Sequence, residues 1–168
     1  MGKHKCHEIE PPKPGHQYII TADPAGFGAK GDQSALTVFD ALEQREVAFW
    51  EGRESPDRFY QRLLTVQRRY SMALLAVESN AAACIALLKD NGAKNLLWTD
   101  RNHPGWYATE KRLREAEARL VRMLADQDLK LKSRGMLHQL LNYDGSRKKR
   151  VKGLDGVTHH FDRARTAV

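Results

Sequence analysis

The sequence predicts an α/β fold, and three observations carry that prediction. Three β-prone runs follow one another closely between residues 18 and 52, joined by short turns, which is the pattern of an antiparallel meander. Beyond them, segments with apolar residues at helical spacing alternate with short apolar runs. Two of the apolar runs end in a carboxylate, Asp23 and Glu78, and a third acid, Asp162, closes a later element. Ligand and catalytic sites in open α/β sheets gather at strand ends, so these acids are the first candidates for chemistry.

Composition bounds the rest. With 168 residues the chain suits one domain with a real core. Lys+Arg 28 against Asp+Glu 21 gives a net charge of +7, which favours an anionic partner, nucleic acid first. Cys6 and Cys84 are far apart and offer neither a disulfide framework nor zinc spacing. His4, Cys6 and His7 lie in a polar, proline-bounded terminus that reads as an unstructured tail or an appended tag rather than a metal site. No apolar stretch reaches membrane-spanning length and no signal-peptide core precedes Tyr18, so a soluble intracellular protein is expected.

Residues 1–17, with Pro11, Pro12 and Pro14, read as a flexible lead-in, and the domain is expected over 18–168. Tyr18 to Ala22 is a continuous apolar run, expected to be a strand buried on both faces that delivers Asp23 to the surface. Asp23 also opens an Asp-Pro turn, so the acid alone does not decide between turn and site. Gly26-Phe27-Gly28-Ala29-Lys30-Gly31 matches the dinucleotide fingerprint literally, but that motif needs a helix to follow. Here Ser34 to Asp40 alternates and branches like a second strand, so the glycines shape a hairpin or let a phosphate backbone approach. Asp32 is a second acid in that turn. A polar turn at Glu43 to Glu46 then leads into a third strand, Val47 to Gly52.

Ser55-Pro56-Asp57 announces a helix with a capping residue, a proline at its first position and an acid facing the positive end of the dipole. Phe59, Leu63, Val66 and Tyr70 form its buried stripe, leaving Arg58, Arg62, Arg68 and Arg69 as a solvated face. Met72 to Val77 is a further strand ending at Glu78, an acid that equally suits the N-terminus of the next helix. Ser79-Asn80 caps that helix, Ala81 to Asp90, which stops at Asn91-Gly92. Asn95 to Trp98 is a short strand, and Thr109 caps a long helix to Ala125 with an apolar stripe of Leu113, Ala116, Leu120, Val121 and Leu124. Leu129 to Lys132 alternates like an edge strand, and Met136 to Leu141 reads as a helix.

Arg147-Lys148-Lys149-Arg150-Val151-Lys152 lies between the turn dipeptides Asp144-Gly145 and Asp155-Gly156, the pattern of a hairpin or loop that displays its lysines. Thr158 to Arg163 is expected to begin a final helix carrying Asp162. If Asp23, Glu78 and Asp162 converge, their repulsion favours cations among them, and hard oxygen ligands select Mg²⁺ or Mn²⁺. Two such ions about 3.5 to 4 Å apart can activate water and stabilise the leaving oxygen in phosphodiester cleavage.

These motifs, in this order, resemble a known family. Asp23-Pro24-Ala25, Gly31-Asp32-Gln33-Ser34-Ala35, Ala76-Val77-Glu78-Ser79-Asn80, Gly105-Trp106-Tyr107 and His160-Phe161-Asp162-Arg163 resemble the C-terminal nuclease domain of the large terminase subunit of tailed bacteriophages. The resemblance runs from Tyr18 to Val168. It implies a ribonuclease H-like fold, a central mixed β-sheet flanked by α-helices, and cleavage of double-stranded concatemeric viral DNA during packaging with one or two Mg²⁺ or Mn²⁺ ions. It implies Asp23, Glu78 and Asp162 as catalytic and metal-binding acids and Asp32 as an auxiliary ligand. The family often has His-Asp-Asp where this chain has His160-Phe161-Asp162, so one acid is missing and His160 is the residue placed to serve as ligand or proton shuttle; His159 and His160 equally suit a partly buried helix cap. Lys148, Lys149, Arg150 and Lys152 are the expected phosphate grip.

The family's partners are the terminase ATPase domain, the small terminase subunit and the portal, and its place is the cytoplasm of the infected host, away from membranes. No G-x-x-x-x-G-K-[ST] loop is present, so translocation is expected of another domain or chain. The alternatives are a Holliday-junction resolvase or transposase using the same acids, or a non-catalytic DNA-binding or assembly module whose acids cap helices.

Overall fold

A computed structural model of the protein describes residues 6–24, 33–79, 81–141, 149–152 and 158–161, the side chains of Gln139 and of the last two segments excepted. The glycine turn with Asp32, Asn80, Lys148, both Asp-Gly turns and Asp162 lie outside them.

The elements in order are β1 (His7–Glu8), β2 (Tyr18–Asp23), β3 (Ser34–Asp40), β4 (Arg45–Gly52), α1 (Pro56–Arg69), β5 (Leu74–Val77), α2 (Ala82–Asp90), β6 (Trp98–Asp100), β7 (His103–Pro104), α3 (Glu110–Ala125), α4 (Arg134–Leu141), β8 (Lys149–Lys152) and β9 (Thr158–Phe161). Residues 1–131 and 132–168 form two compact units.

In the first unit, five strands lie in the order β1-β4-β3-β2-β5. The β2-β3-β4 meander is antiparallel, as its short turns require, while β5 returns through α1 to run parallel to β2. The sheet is therefore mixed, with helices packed against it. Within the lead-in, His7–Glu8 adds an antiparallel edge strand to β4, with the His7 and Phe49 rings stacked at 5.0 Å. The segment around Cys6 and His7 is thus built into the sheet, where an unstructured tail was expected.

The core explains the burial of each strand. Ile20, Leu36, Val38, Trp50, Leu75 and Val77 project to one face and join Phe59, Leu63 and Val66 of α1 with Cys84, Ile85 and Leu88 of α2 in a single cluster. Each fully buried aliphatic or aromatic side chain there contributes about 1.5 to 3 kcal/mol. On β2 this produces alternation: Tyr18, Ile20 and Ala22 are buried, whereas Thr21 and Asp23 are exposed. The expectation of a strand buried on both faces is corrected, because the α1 and α2 side chains join the cluster on one face alone. Cys84 packs as a small hydrophobe, and burial pushes its thiol up to about 11.

Helix α1 buries the expected stripe, with two additions the pattern did not show. Arg62 is not solvated: it pairs with Glu54 and lies 4.3 Å over the Trp50 ring. Gln67 is fully buried and its amide donates to the Ala73 and Lys94 carbonyls, joining α1 to two loops. Helix α2 ends as predicted, with Gly92 in the left-handed region at φ 68°.

Helix α3 is capped by Thr109, whose hydroxyl accepts the Arg112 amide, but none of its residues is buried, and Val121 is 68% exposed. The short strand expected at Asn95 to Trp98 lies later, at Trp98–Asp100, because Leu96 makes only a single bridge to Leu75. Lys130 likewise makes one bridge, to Arg45, so residues 129–132 form no strand.

The second unit holds α4 and the β8–β9 hairpin, in which Lys149 pairs Phe161 and Lys152 pairs Thr158. A helix was expected to begin at Thr158. The segment is a strand instead, since the β-branched and aromatic residues of Thr158–Phe161 find a ladder partner in the basic run.

Candidate active site

Asp23 is the last residue of β2 and Glu78 directly follows β5. The two strands are parallel neighbours, in register from Ile19↔Leu74 to Ala22↔Val77, and the Glu78 amide continues the ladder by donating to the Ala22 carbonyl at 3.0 Å. Both acids therefore stand at the C-terminal edge of one strand pair, where adjacent backbones are about 4.8 Å apart. They line one cleft of about 440 Å³ with Thr21, Thr37, Trp106 and Leu113. Asp23 is exposed and Glu78 half-buried.

A short segment holds the far side of Glu78. The Trp106 amide donates to the Val77 carbonyl at 2.6 Å and the Ser79 amide to the Trp106 carbonyl at 2.9 Å, so residues 105–106 run beside the end of β5 like one more strand. That approach demands glycine at 105. Its φ is +84°, and a Cβ there would overlap the Val77 carbonyl oxygen and crowd Ile85. Trp106 is thereby brought, half-buried, into the wall of the cleft.

Of the predicted site residues, the structure brings Asp23 and Glu78 together. Asp32 and Asp162 lie outside the described residues, as does Lys148. His160 is on β9 opposite Arg150, and Lys149, Arg150 and Lys152 are on β8.

Among the described residues, one group of three has metal-ligand atoms close together, and sequence reasoning missed it: His16, Asp40 and Glu43. His16 Nδ1 lies 2.7 Å from Asp40 Oδ2 and 3.9 Å from Glu43 Oε1. Asp40 pairs with Tyr18 and Asp23 with Ala35, so this cluster is about five residues, or roughly 17 Å, along the β2–β3 ladder from Asp23. Glu43 already pairs with Lys13 at 2.8 Å and with Arg45, and Asp40 Oδ1 accepts the Leu42 and Glu43 amides. Two cations beside Glu43 oppose a divalent ion, so the cluster is a clamp between the lead-in and the β3–β4 turn.

No protein-family model and no curated protein matches the sequence. Solved structures do match in fold. The large terminase nuclease from thermophilic phage G20c with bound cobalt superposes with a TM-score of 0.70 at 16% identity, over 99% of this chain and 82% of that one. Its magnesium-bound form gives 0.68 at 16% identity, over 97% and 82%. The large terminase nuclease domain of Thermus phage P74-26 gives 0.64 at 18% identity, over 92% and 74%. The fold is thus the ribonuclease H-like one of phage large terminase nucleases. No helix among the described residues is long and apolar enough to cross a membrane.

Proposed function

We propose that this chain is a divalent-metal-dependent endonuclease that cuts double-stranded viral DNA during genome packaging, as the nuclease part of a large terminase. The observation that carries the reading is the pairing of Asp23 and Glu78 at the ends of two adjacent parallel strands, in one cleft, on this fold. Two carboxylates offer hard oxygen donors, which fit Mg²⁺ or Mn²⁺. Asp23 and Glu78, joined by Asp162 and assisted by Asp32 and His160, would hold the ion or ions. Once bound, the metal supplies Lewis acidity and lowers the pKa of a coordinated water.

The chain's own residues do the rest. The backbone bond from Glu78 to Ala22 and the Gly105–Trp106 clamp hold the strand ends that carry the two acids. The basic run at Lys148, Lys149, Arg150 and Lys152 would bind phosphates without reading bases. A terminase ATPase domain, small subunit and portal, in the host cytoplasm, are the partners and place this reading implies.

The test is plasmid cleavage in Mn²⁺. The parent is expected to nick and linearise supercoiled DNA, while Asp23→Asn, Glu78→Gln and Asp162→Asn each reduce the rate about a hundredfold or more. Cleavage that survives Asp23→Asn and Glu78→Gln together sinks the site. Preference for four-way junctions over linear duplex would turn the assignment toward a resolvase.

A further inference from the structure

Glu78 lines a second cleft besides the one it shares with Asp23. This one, of about 460 Å³, opens between α2 and the β6–β7 hairpin, and Ser79, Lys89, Asn102, His103 and Tyr107 line it too. The Gly105–Trp106 clamp fixes the hairpin's base against β5, so its position relative to Glu78 is set by backbone hydrogen bonds.

The groups on the hairpin are pre-arranged. Asp100 Oδ1 accepts the Asn102 and His103 amides at 2.9 and 3.1 Å, and the carboxylate meets His103 Nδ1 at 2.7 Å. The Asn102 amide first, then the His103 ring, hold the Asp100 carboxyl below its usual value. With Nδ1 engaged, Nε2 is the ring nitrogen of His103 left to reach another group. The imidazole stacks on Tyr107, with ring centroids 4.4 Å apart. Lys89 is exposed and lies 5.4 Å from the centre of the Trp98 ring.

A cation, an oriented imidazole and an aromatic face beside a candidate catalytic carboxylate match one kind of ligand. Among the described residues, the cleft shared with Asp23 is lined by no basic side chain, whereas Lys89 and His103 line this one. A polyanionic strand reaching two acids needs compensating charge nearby, and this is where the walls around Glu78 supply it. Resting on the nuclease reading, we propose that the α2/β6–β7 cleft receives the DNA strand next to the scissile phosphate. Lys89 and His103 take a neighbouring, uncut phosphate, and the Tyr107 ring lies against the sugar or base of that nucleotide.

The test is fluorescence anisotropy of a labelled duplex in EDTA, paired with plasmid cleavage in Mn²⁺. Lys89→Ala and His103→Ala are each expected to weaken binding about tenfold. Lys89→Ala should also lower the salt slope of log Kd by about one, while Lys89→Arg retains parental binding. Lys89 is exposed, and a thermal melt verifies that each variant folds. If the parent cuts DNA and both alanine variants bind and cut as the parent does, the cleft proposal is overturned and the nuclease reading stands. If the parent fails to cut while both variants lose binding, the nuclease reading falls and the cleft stands as a nucleic-acid site.

Discussion

Asp40 sits at the end of β3 with its side chain 1% exposed. Burial pushes its carboxyl up, but the hydrogen bond from His16 and the Glu43 and Leu42 amides outweigh that and hold it below the ordinary value. A carboxyl depressed by folding stabilises the fold above its unfolded pKa, and that contribution is lost as pH falls through the folded one. Asp40→Asn is therefore expected to cost on the order of 1 to 3 kcal/mol at pH 7 by urea unfolding. The penalty should shrink as pH falls below about 4, where the carboxyl of the unfolded chain takes up its proton while the folded one still resists it; an equal penalty at pH 3 and pH 7 would assign the effect to something other than charge. None of this clamp was legible in the sequence. His16 and Asp40 are 24 residues apart, and no local spacing connects them. Asp23 and Glu78 were legible because each ends an apolar run, a signal that neighbouring residues carry by themselves.

Among the elements, the helices were the most readable, though of the expected caps only Thr109 makes its side-chain bond: Ser55 makes none to α1, and the N-cap of α2 is Ala81 where Ser79-Asn80 was expected. Pro56 and Asp57 open α1, Thr109 caps α3 and Gly92 ends α2 where the sequence put them, since a cap depends on residues within one turn. Strand assignment was weaker. Thr158–Phe161 became a strand because it has a ladder partner, and residues 129–132 did not become one because Lys130 makes a single bridge. The apolar stripe of α3 was correct as a pattern, yet Leu113, Val121 and Leu124 are all exposed, because periodicity shows which face is apolar and not what covers it. The β6–β7 hairpin depends on one backbone position. Gly105→Ala is expected to lower stability by about 1 to 3 kcal/mol, through positive φ and the clash with the Val77 carbonyl. Trp106 fluorescence should shift to the red as the segment leaves β5. An unchanged melting temperature and spectrum would show that the hairpin does not need this close contact.

At the scale of the molecule, charge and topology act together. A net charge of +7 serves DNA binding if its lysines and arginines neutralise phosphates. Four or five such contacts predict that raising salt from about 50 to 200 mM weakens duplex binding about a hundredfold. A flat response in an anisotropy salt series would separate the basic surface from nucleic-acid recognition. The sequence by itself determined the α/β class, the first meander, the presence of the helices and the acids that close two strands, because propensity, periodicity and alternation are local. Only the tertiary structure decided that β5, after a crossover through α1, lies parallel to β2, and so that Asp23 and Glu78 share a cleft. That pairing joins residues more than fifty positions apart through sheet hydrogen bonds and a common core, and no short window of sequence carries it.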